Sequence, residues 1–257
     1  MTAALIQSNV SYLLLTFLPP LLWLLFYLRE DRHPEPKLML ILAFIGGVVS
    51  AVLALAAECA WIFIVSGSCG GGSPPMVDPR LLFLGIAFIE EYVKYLPVKF
   101  LILNRRDFDE PVDAMVYMMT AALGFASLEN ALFSFQFFYQ MAENAILALP
   151  LAPDTLWASL DVATNRFLGA NLLHALSSGI VGFFLARAWF HPHRRHFLAL
   201  GITMAALLHT FFNYLILKRE VLTEGPFYII LLLAVMAVMV FIDFERLKRS
   251  KAEIPHV

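Results

Sequence analysis

Charge is what this sequence has least of. Only 15% of its 257 residues are Asp, Glu, Lys or Arg, while 60% are hydrophobic; a soluble globular domain carries roughly 25% charged residues. No single packed core absorbs that much apolar surface, so an integral membrane protein is expected. The net charge of −2 gives no electrostatic reason to bind nucleic acid. Cysteine is scarce too. Cys59 and Cys69 offer no metal-ligand spacing and leave open whether they pair with each other. There is no HExxH, so the usual zinc-binding helix is missing. No apolar run carries an aspartate pair suited to aspartyl chemistry. Ser177-Ser178-Gly179 follows His174 but lacks the preceding glycine of a GxSG serine site. No internal repeat and no soluble domain are visible. The N-terminal MTAALIQSNVSYLLL lacks the positive region of a cleaved signal, so its apolar run is expected to be retained as a span.

What is present is a series of long apolar runs. A membrane span needs about 20 largely apolar residues. Seven candidates lie near 10–28, 38–65, 81–103, 113–141, 167–189, 197–217 and 226–243. The fold class expected is therefore all-α: one polytopic membrane bundle of about seven helices, a single domain over 1–257. The intervening segment 142–166, with ILALPLAPDTLWASL, reads as a short interfacial or re-entrant helix and a candidate lid. Orientation follows from lysine and arginine. Alternate assignment of the loops puts Arg29, Arg32, Lys37, Lys99, Arg105, Arg106, Arg187, Arg194, Arg195, Arg246, Lys248, Arg249 and Lys251 on one side. The other side receives Arg80, Arg166, Lys218 and Arg219. The N-terminus is expected outside and the C-terminus in the cytoplasm, with Lys218-Arg219 against the trend.

Several of the few charges lie inside these runs. FIEEYVKY, from Phe88 to Tyr95, places Glu90, Glu91 and Lys94 in the third. Each charge at the centre of a span costs roughly 2.5–3.5 kcal/mol on insertion scales. Glu58, Glu129, His174 and His209 are also well inside, as are Asn130, Asn171 and Asn213. Counting residues from the outer end of each span gives depths of roughly 13 Å for Glu90, 10 Å for His174, 12 Å for His209 and 18 Å for Glu129. Four antiparallel segments thus bring acid or imidazole groups to a similar level in the outer half of the bilayer. Glu90 and Lys94 are i,i+4 and share a face. Glu90 and Glu91 are close enough that both should not ionise fully in low dielectric, and a shared proton suits general acid–base work. His209 and Asn213 are again i,i+4, which pairs a proton carrier with an amide donor for an oxyanion. An isolated His or Asn in a span usually makes an interhelical hydrogen bond, which is an equal reading for Asn171. Glu58, Asp243 and Glu245 read as interfacial. The Glu90, Glu91, Glu129, His174, His209 set reads as functional, because buried charge of this kind marks function by default. Glutamate and histidine together support two chemistries: direct deprotonation of water, or a zinc ion on His174, His209 and a glutamate with one position open.

In this order and placement the motifs resemble the PrsW family of intramembrane proteases, within the wider superfamily of CAAX prenyl endopeptidases. Glu90-Glu91-x-x-Lys94 fits its EExxK, and Phe125 to Asn130 fits FxxxEN. His174 in HALSSG is similar to the third motif, and His209 to Asn213 fits HxxxN. The loop YLREDRHPEPK, with Asp31, Pro34, Glu35 and Pro36, is similar to the family's acidic-proline loop. DEPVDAMVY at 109–117 is similar to the lead-in to its fourth span. The resemblance implies a multi-pass plasma-membrane protease that cuts membrane-anchored proteins, an anti-sigma factor being one candidate, on the extracytoplasmic side. Glu90 and Glu91 would activate water, with Glu90 favoured as the base. Glu129, His174, His209 and Asn213 would complete the site, Lys94 would tune the glutamates, and a zinc ion, if used, would sit on His174, His209 and Glu129. A CAAX-type protease needs a site open to the cytoplasm, which this topology disfavours. A non-catalytic scaffold, such as the gamma-secretase subunit of the same superfamily, has no need of two retained glutamates. A proton-coupled transporter should show repeated halves or a broken helix pair, and neither is visible.

Overall fold

The computed structural model describes residues 17–29, 33–68, 77–145, 169–189, 194–219, 221–222 and 224–249. Among them it is all-helical. The helices are α1 (Phe17–Tyr27), α2 (Lys37–Ser66), α3 (Pro79–Pro97), α4 (Asp113–Ala145), α5 (Asn171–Trp189), α6 (Arg194–Lys218) and α7 (Gly225–Lys248). A π-helical turn, Val98–Ile102, continues α3 past Pro97. Each expected run holds one helix. Five of these, α2 and α4 to α7, are long and apolar enough to cross a membrane. The 19-residue α3 falls short of that criterion because Arg80, Glu90, Glu91 and Lys94 lie within it. The segment expected to be a lid, 142–166, lies outside the described residues apart from the last turn of α4. Cys69 does too; Cys59 carries no free thiol.

Helix ends follow their local chemistry. Asp78 caps α3, accepting the Arg80 backbone N–H at 2.9 Å, and Pro79 takes the first helical position. Gly67 ends α2 with φ of 77°, a left-handed conformation that favours glycine, and its N–H reaches Phe63 O at 2.8 Å. The last helix runs further than expected, through Lys248, so Asp243 is buried in its final turns, 3.4 Å from Arg246.

The helices α4 and α5 form the centre: 78% of each apolar stretch is buried, against 33% for α2 and α7. The outer faces of α2 and α7 present Ile41, Ile45, Val49, Ile230, Val235 and Val238, as lipid-facing helices do. The helix α4 packs on α2 and α5, α5 on α6, and α3 between α2 and α6. Lipid tails give no hydrophobic drive between helices, so small residues that let backbones approach decide where pairs meet. On α2 and α4 these are Gly47 and Gly124. A Cβ on Gly47 would lie 1.9 Å from Ala121 O, and one on Gly124 2.0 Å from Phe44 O. The two helices touch backbone to backbone at that crossing.

At the end where α2 and α4 begin, a second polar group closes the bundle. Tyr117 donates to Glu35, which is buried. Asp113 is hydrogen-bonded to Glu35 and accepts the backbone N–H groups of Asp109 and Glu110 at 2.9 and 2.7 Å. His33 meets Glu110 at 2.5 Å. The acidic-proline loop and the lead-in to α4 are therefore one joint.

Candidate active site

The face of α3 that turns inward carries Ala87, Glu90, Glu91 and Lys94, one helical stripe, and all four are buried. Lys94 is the hub. Its ammonium donates to Glu91 Oε1 at 2.9 Å, to Glu90 Oε2 at 3.3 Å and to His174 Nδ1 at 2.8 Å. It also lies 4.5 Å from the centre of the Phe125 ring. An ammonium has no acceptor, so Nδ1 of His174 receives that bond and the proton of the neutral ring sits on Nε2. That Nε2–H donates to Glu129 Oε2 at 2.7 Å.

The two adjacent glutamates have different surroundings. Glu91 is fully enclosed. Its Oε1 accepts from Lys94, from Ser177 Oγ at 2.9 Å and from His209 Nδ1 at 3.1 Å, and its Oε2 accepts from Ser178 Oγ at 3.2 Å. Among the described residues, Glu90 has only Lys94 within bonding distance. Its Oε2 lies 3.8 Å from both His174 Nδ1 and His209 Nε2, and the residue lines a cavity of about 200 Å³. The other walls are Ala51, Ala54, Leu55 and Glu58 of α2 and Phe125, Glu129, Leu132 and Phe133 of α4. The imidazoles of His174 and His209 stand edge to face, 5.2 Å apart.

Glu90, Glu91, Lys94, Glu129, His174 and His209 are thus in one cluster. Asn213 is not bonded to it. It is half-buried, one turn from His209, and its side chain makes no hydrogen bond with the described residues. Five further residues belong here. Ser177 and Ser178 hold Glu91, and their only signal in the sequence is their i+3 and i+4 spacing from His174. Asn130 Nδ2 donates to Asn171 Oδ1 at 2.8 Å, and the Nδ2 of Asn171 is buried without a partner among the described residues. Glu58, read from the sequence as interfacial, faces the cavity.

Glu90, His174 and His209 each offer a ligand atom within 4.8 Å of the others. Two imidazoles and a carboxylate are the donors of a catalytic zinc site, so the residues fit such an ion in kind and spacing. The carboxylate of that group is Glu90 rather than Glu129, because Glu129 reaches His174 from the opposite ring nitrogen. Lys94 bonds Glu90 and His174 Nδ1, so an ion and this ammonium would compete for them.

Residues 35–241 match the family model of the PrsW family intramembrane metalloprotease. The chain is similar to Protease PrsW of Geobacillus kaustophilus (strain HTA426), 30% identical over 196 residues that cover 76% of this chain and 74% of the relative. Protease PrsW of Clostridioides difficile (strain 630) is 25% identical over 94% of this chain and 92% of its own length. Protease PrsW of Bacillus subtilis (strain 168) is 26% identical over 74% and 75%. No solved structure matches. Buried glutamates and histidines in apolar helices, the family match and these relatives agree: the chain is a multi-pass membrane peptidase that belongs to the PrsW family.

Proposed function

We propose that the chain is an intramembrane endopeptidase that cleaves membrane-anchored proteins near the extracytoplasmic face, with Glu90 as the general base. The observation that carries this reading is the contrast within the glutamate pair. Glu91 is saturated by four donors, whereas Glu90 faces both the cavity and the two histidines. A base needs a lone pair that water can reach. Lys94 holds Glu90 through one hydrogen bond at 3.3 Å without enclosing it.

Glu90 would take a proton from a water held between it and His209 Nε2. The hydroxide would add to the scissile carbonyl, and Glu90 would return the proton to the departing amine. Glu91 fixes His209 through Nδ1, and Glu129 fixes His174 through Nε2. Asn213 keeps its amide uncommitted and would donate to the oxyanion. Were zinc bound, Glu90, His174 and His209 would hold it, and the ion would supply Lewis-acid activation of the water.

The bias of lysine and arginine supports a seven-span, single-domain protein of the plasma membrane with its N-terminus outside. The bonded state of Cys59 near the outer end of α2 suits an oxidising compartment. An anti-sigma factor is a fitting substrate class. The test compares protein N-termini in cells carrying the native chain and Glu90→Gln. N-termini found only with the native chain, mapping near the outer ends of other proteins' spans, are expected. Identical sets with equal protein levels would remove the proposal.

A further inference from the structure

We infer that Glu58 is a positioning residue for the reactant water: it keeps the cavity hydrated, and water reaches Glu90 along it. The inference deepens the proposed function and rests on Glu90 as the base. Three observations carry it.

The first is demand. Each hydrolytic turnover consumes one water, and the bilayer core supplies none. Glu90 is buried on α3. The route for water to it is therefore built from polar groups of this chain.

The second is Glu58 itself. It lines the same cavity as Glu90, on the α2 wall, and is half-buried. It makes no hydrogen bond and no ion pair with the described residues; its charged neighbours are Glu90, Glu129, Lys94 and His209. Glu129 differs, since His174 Nε2 already donates to it. An ionised carboxyl group accepts hydrogen bonds, and a protonated one also donates. In either state Glu58 needs partners, and at an open cavity water is the partner that fits. A space of about 200 Å³ with three carboxyl groups in its walls is roomy and polar enough for several waters.

The third is direction. Trp61, one turn past Glu58, closes the seam between α2 and α3. Its Nε1–H donates to Leu82 O at 3.2 Å, and its indole fills the space over Gly85, where a Cβ would lie 2.1 Å from it. On the α4 side the edge of the cavity is formed by Leu55, Leu132 and Phe133, all exposed. Glu58 lies eight residues before α2 ends at Ser66, about 12 Å along the axis. In the proposed orientation that end is the outer one. Water thus enters beside α4 and meets Glu58 on its way to Glu90.

The experiment uses the full chain in vesicles, a single-span reporter peptide and two near-isosteric substitutions. Glu58→Gln keeps a group that hydrogen-bonds water, and Glu58→Leu does not. Glu58→Leu should lower kcat roughly tenfold, the rate equivalent of one hydrogen bond to the attacking water. KM should hold, because the apolar walls remain. Glu58→Gln should keep the native kcat. The second readout is chemical. Leu132→Cys should react with a charged, membrane-impermeant methanethiosulfonate, which modifies thiols that meet water, with the chain lacking that substitution as background. Adding Glu58→Leu should suppress the reaction, and adding Glu58→Gln should not. An equal loss of kcat in both variants would assign the effect to charge and overturn the inference. A native kcat in Glu58→Leu overturns it, as does labelling that is the same in all backgrounds. An unreactive Leu132→Cys would give the cavity edge to lipid and overturn it too. Should Glu58→Leu fail to fold, Glu58→Met takes its place. Cleavage retained by Glu90→Gln would instead unseat the base, with the labelling reporting separately on the water route.

Discussion

Both ends of the bundle bury carboxylates, and they satisfy them differently. At the end where α2 and α4 begin, Glu35 and Asp113 are held by a tyrosine hydroxyl, by backbone N–H groups and by each other. A bond between two carboxyl groups needs a proton between them. Near the other end, Glu90, Glu91 and Glu129 meet a buried ammonium and two imidazoles. The first arrangement closes a joint between a loop and a helix. The second leaves one carboxylate, Glu90, beside an ammonium and open to a cavity. The lesson is that burial of an acid does not by itself mark function; what matters is whether the acid has an open side.

The largest expected effect follows from that open side. Glu90→Gln removes the lone pair that takes the proton, and general-base catalysis is worth about 10²–10⁴-fold. Cleavage of a reporter should fall by that factor while the melting temperature stays near native. Full activity in Glu90→Gln, or collapse of the fold, would erase the distinction drawn between the two glutamates.

Glu91 should respond the other way. Glu91→Gln leaves Lys94 with a weaker partner in a site with no water access, and removing one member of a buried pair costs about 3–5 kcal/mol. Thermal unfolding in detergent should show a clear loss for Glu91→Gln and for Lys94→Met. The double variant should lose less than the sum of the singles, because each single leaves a charge the other would have compensated. Strict additivity would mean that the pair does not couple. Lys94→Met also frees Glu90 and His174 Nδ1 of the competing ammonium, so equilibrium dialysis should find tighter zinc binding than in the native chain.

The joint at the opposite end offers the matching control. Tyr117→Phe removes the hydroxyl that serves Glu35 and leaves a buried acceptor short of a donor, at a cost of about 1–3 kcal/mol. Stability should fall by that amount with the cleavage rate per folded molecule unchanged. A large fall in rate at full stability would show that the two polar groups are coupled through α4.

How much of this was legible in the sequence follows from the period of a helix. Glu90 to Lys94, Phe125 to Glu129 and the level shared by Glu90, His174 and His209 are consequences of 3.6 residues per turn and of counting from span ends. Their convergence was readable without coordinates. Which of two adjacent glutamates faces the cavity was not. That depends on α5 and α6 presenting Ser177, Ser178 and His209 to Glu91, an interhelical matter that i,i+4 arithmetic on α3 does not contain. The i,i+4 argument favoured Glu90 because Lys94 shares its face, yet Lys94 lies nearer Glu91. The cavity favours the same residue for a different reason. That Glu58 faces the cavity was not readable either, because its distance from the helix end says nothing about which neighbour it meets.

The smallest effect is the most exacting test of the enclosure of Glu91. Ser178 contributes the longest of its four bonds, 3.2 Å, to the oxygen that Lys94 does not reach. Ser178→Ala should cost about 0.5–1.5 kcal/mol, the net worth of one hydrogen bond. It should leave the pH profile of cleavage where it was, because Glu90 and the histidines keep their partners. If Glu91 rather than Glu90 were the base, loss of one of its donors would raise its basicity and move the rising limb of that profile to higher pH. A stability loss with a fixed profile therefore assigns Glu91 to support, and a moved profile reassigns the proton to it.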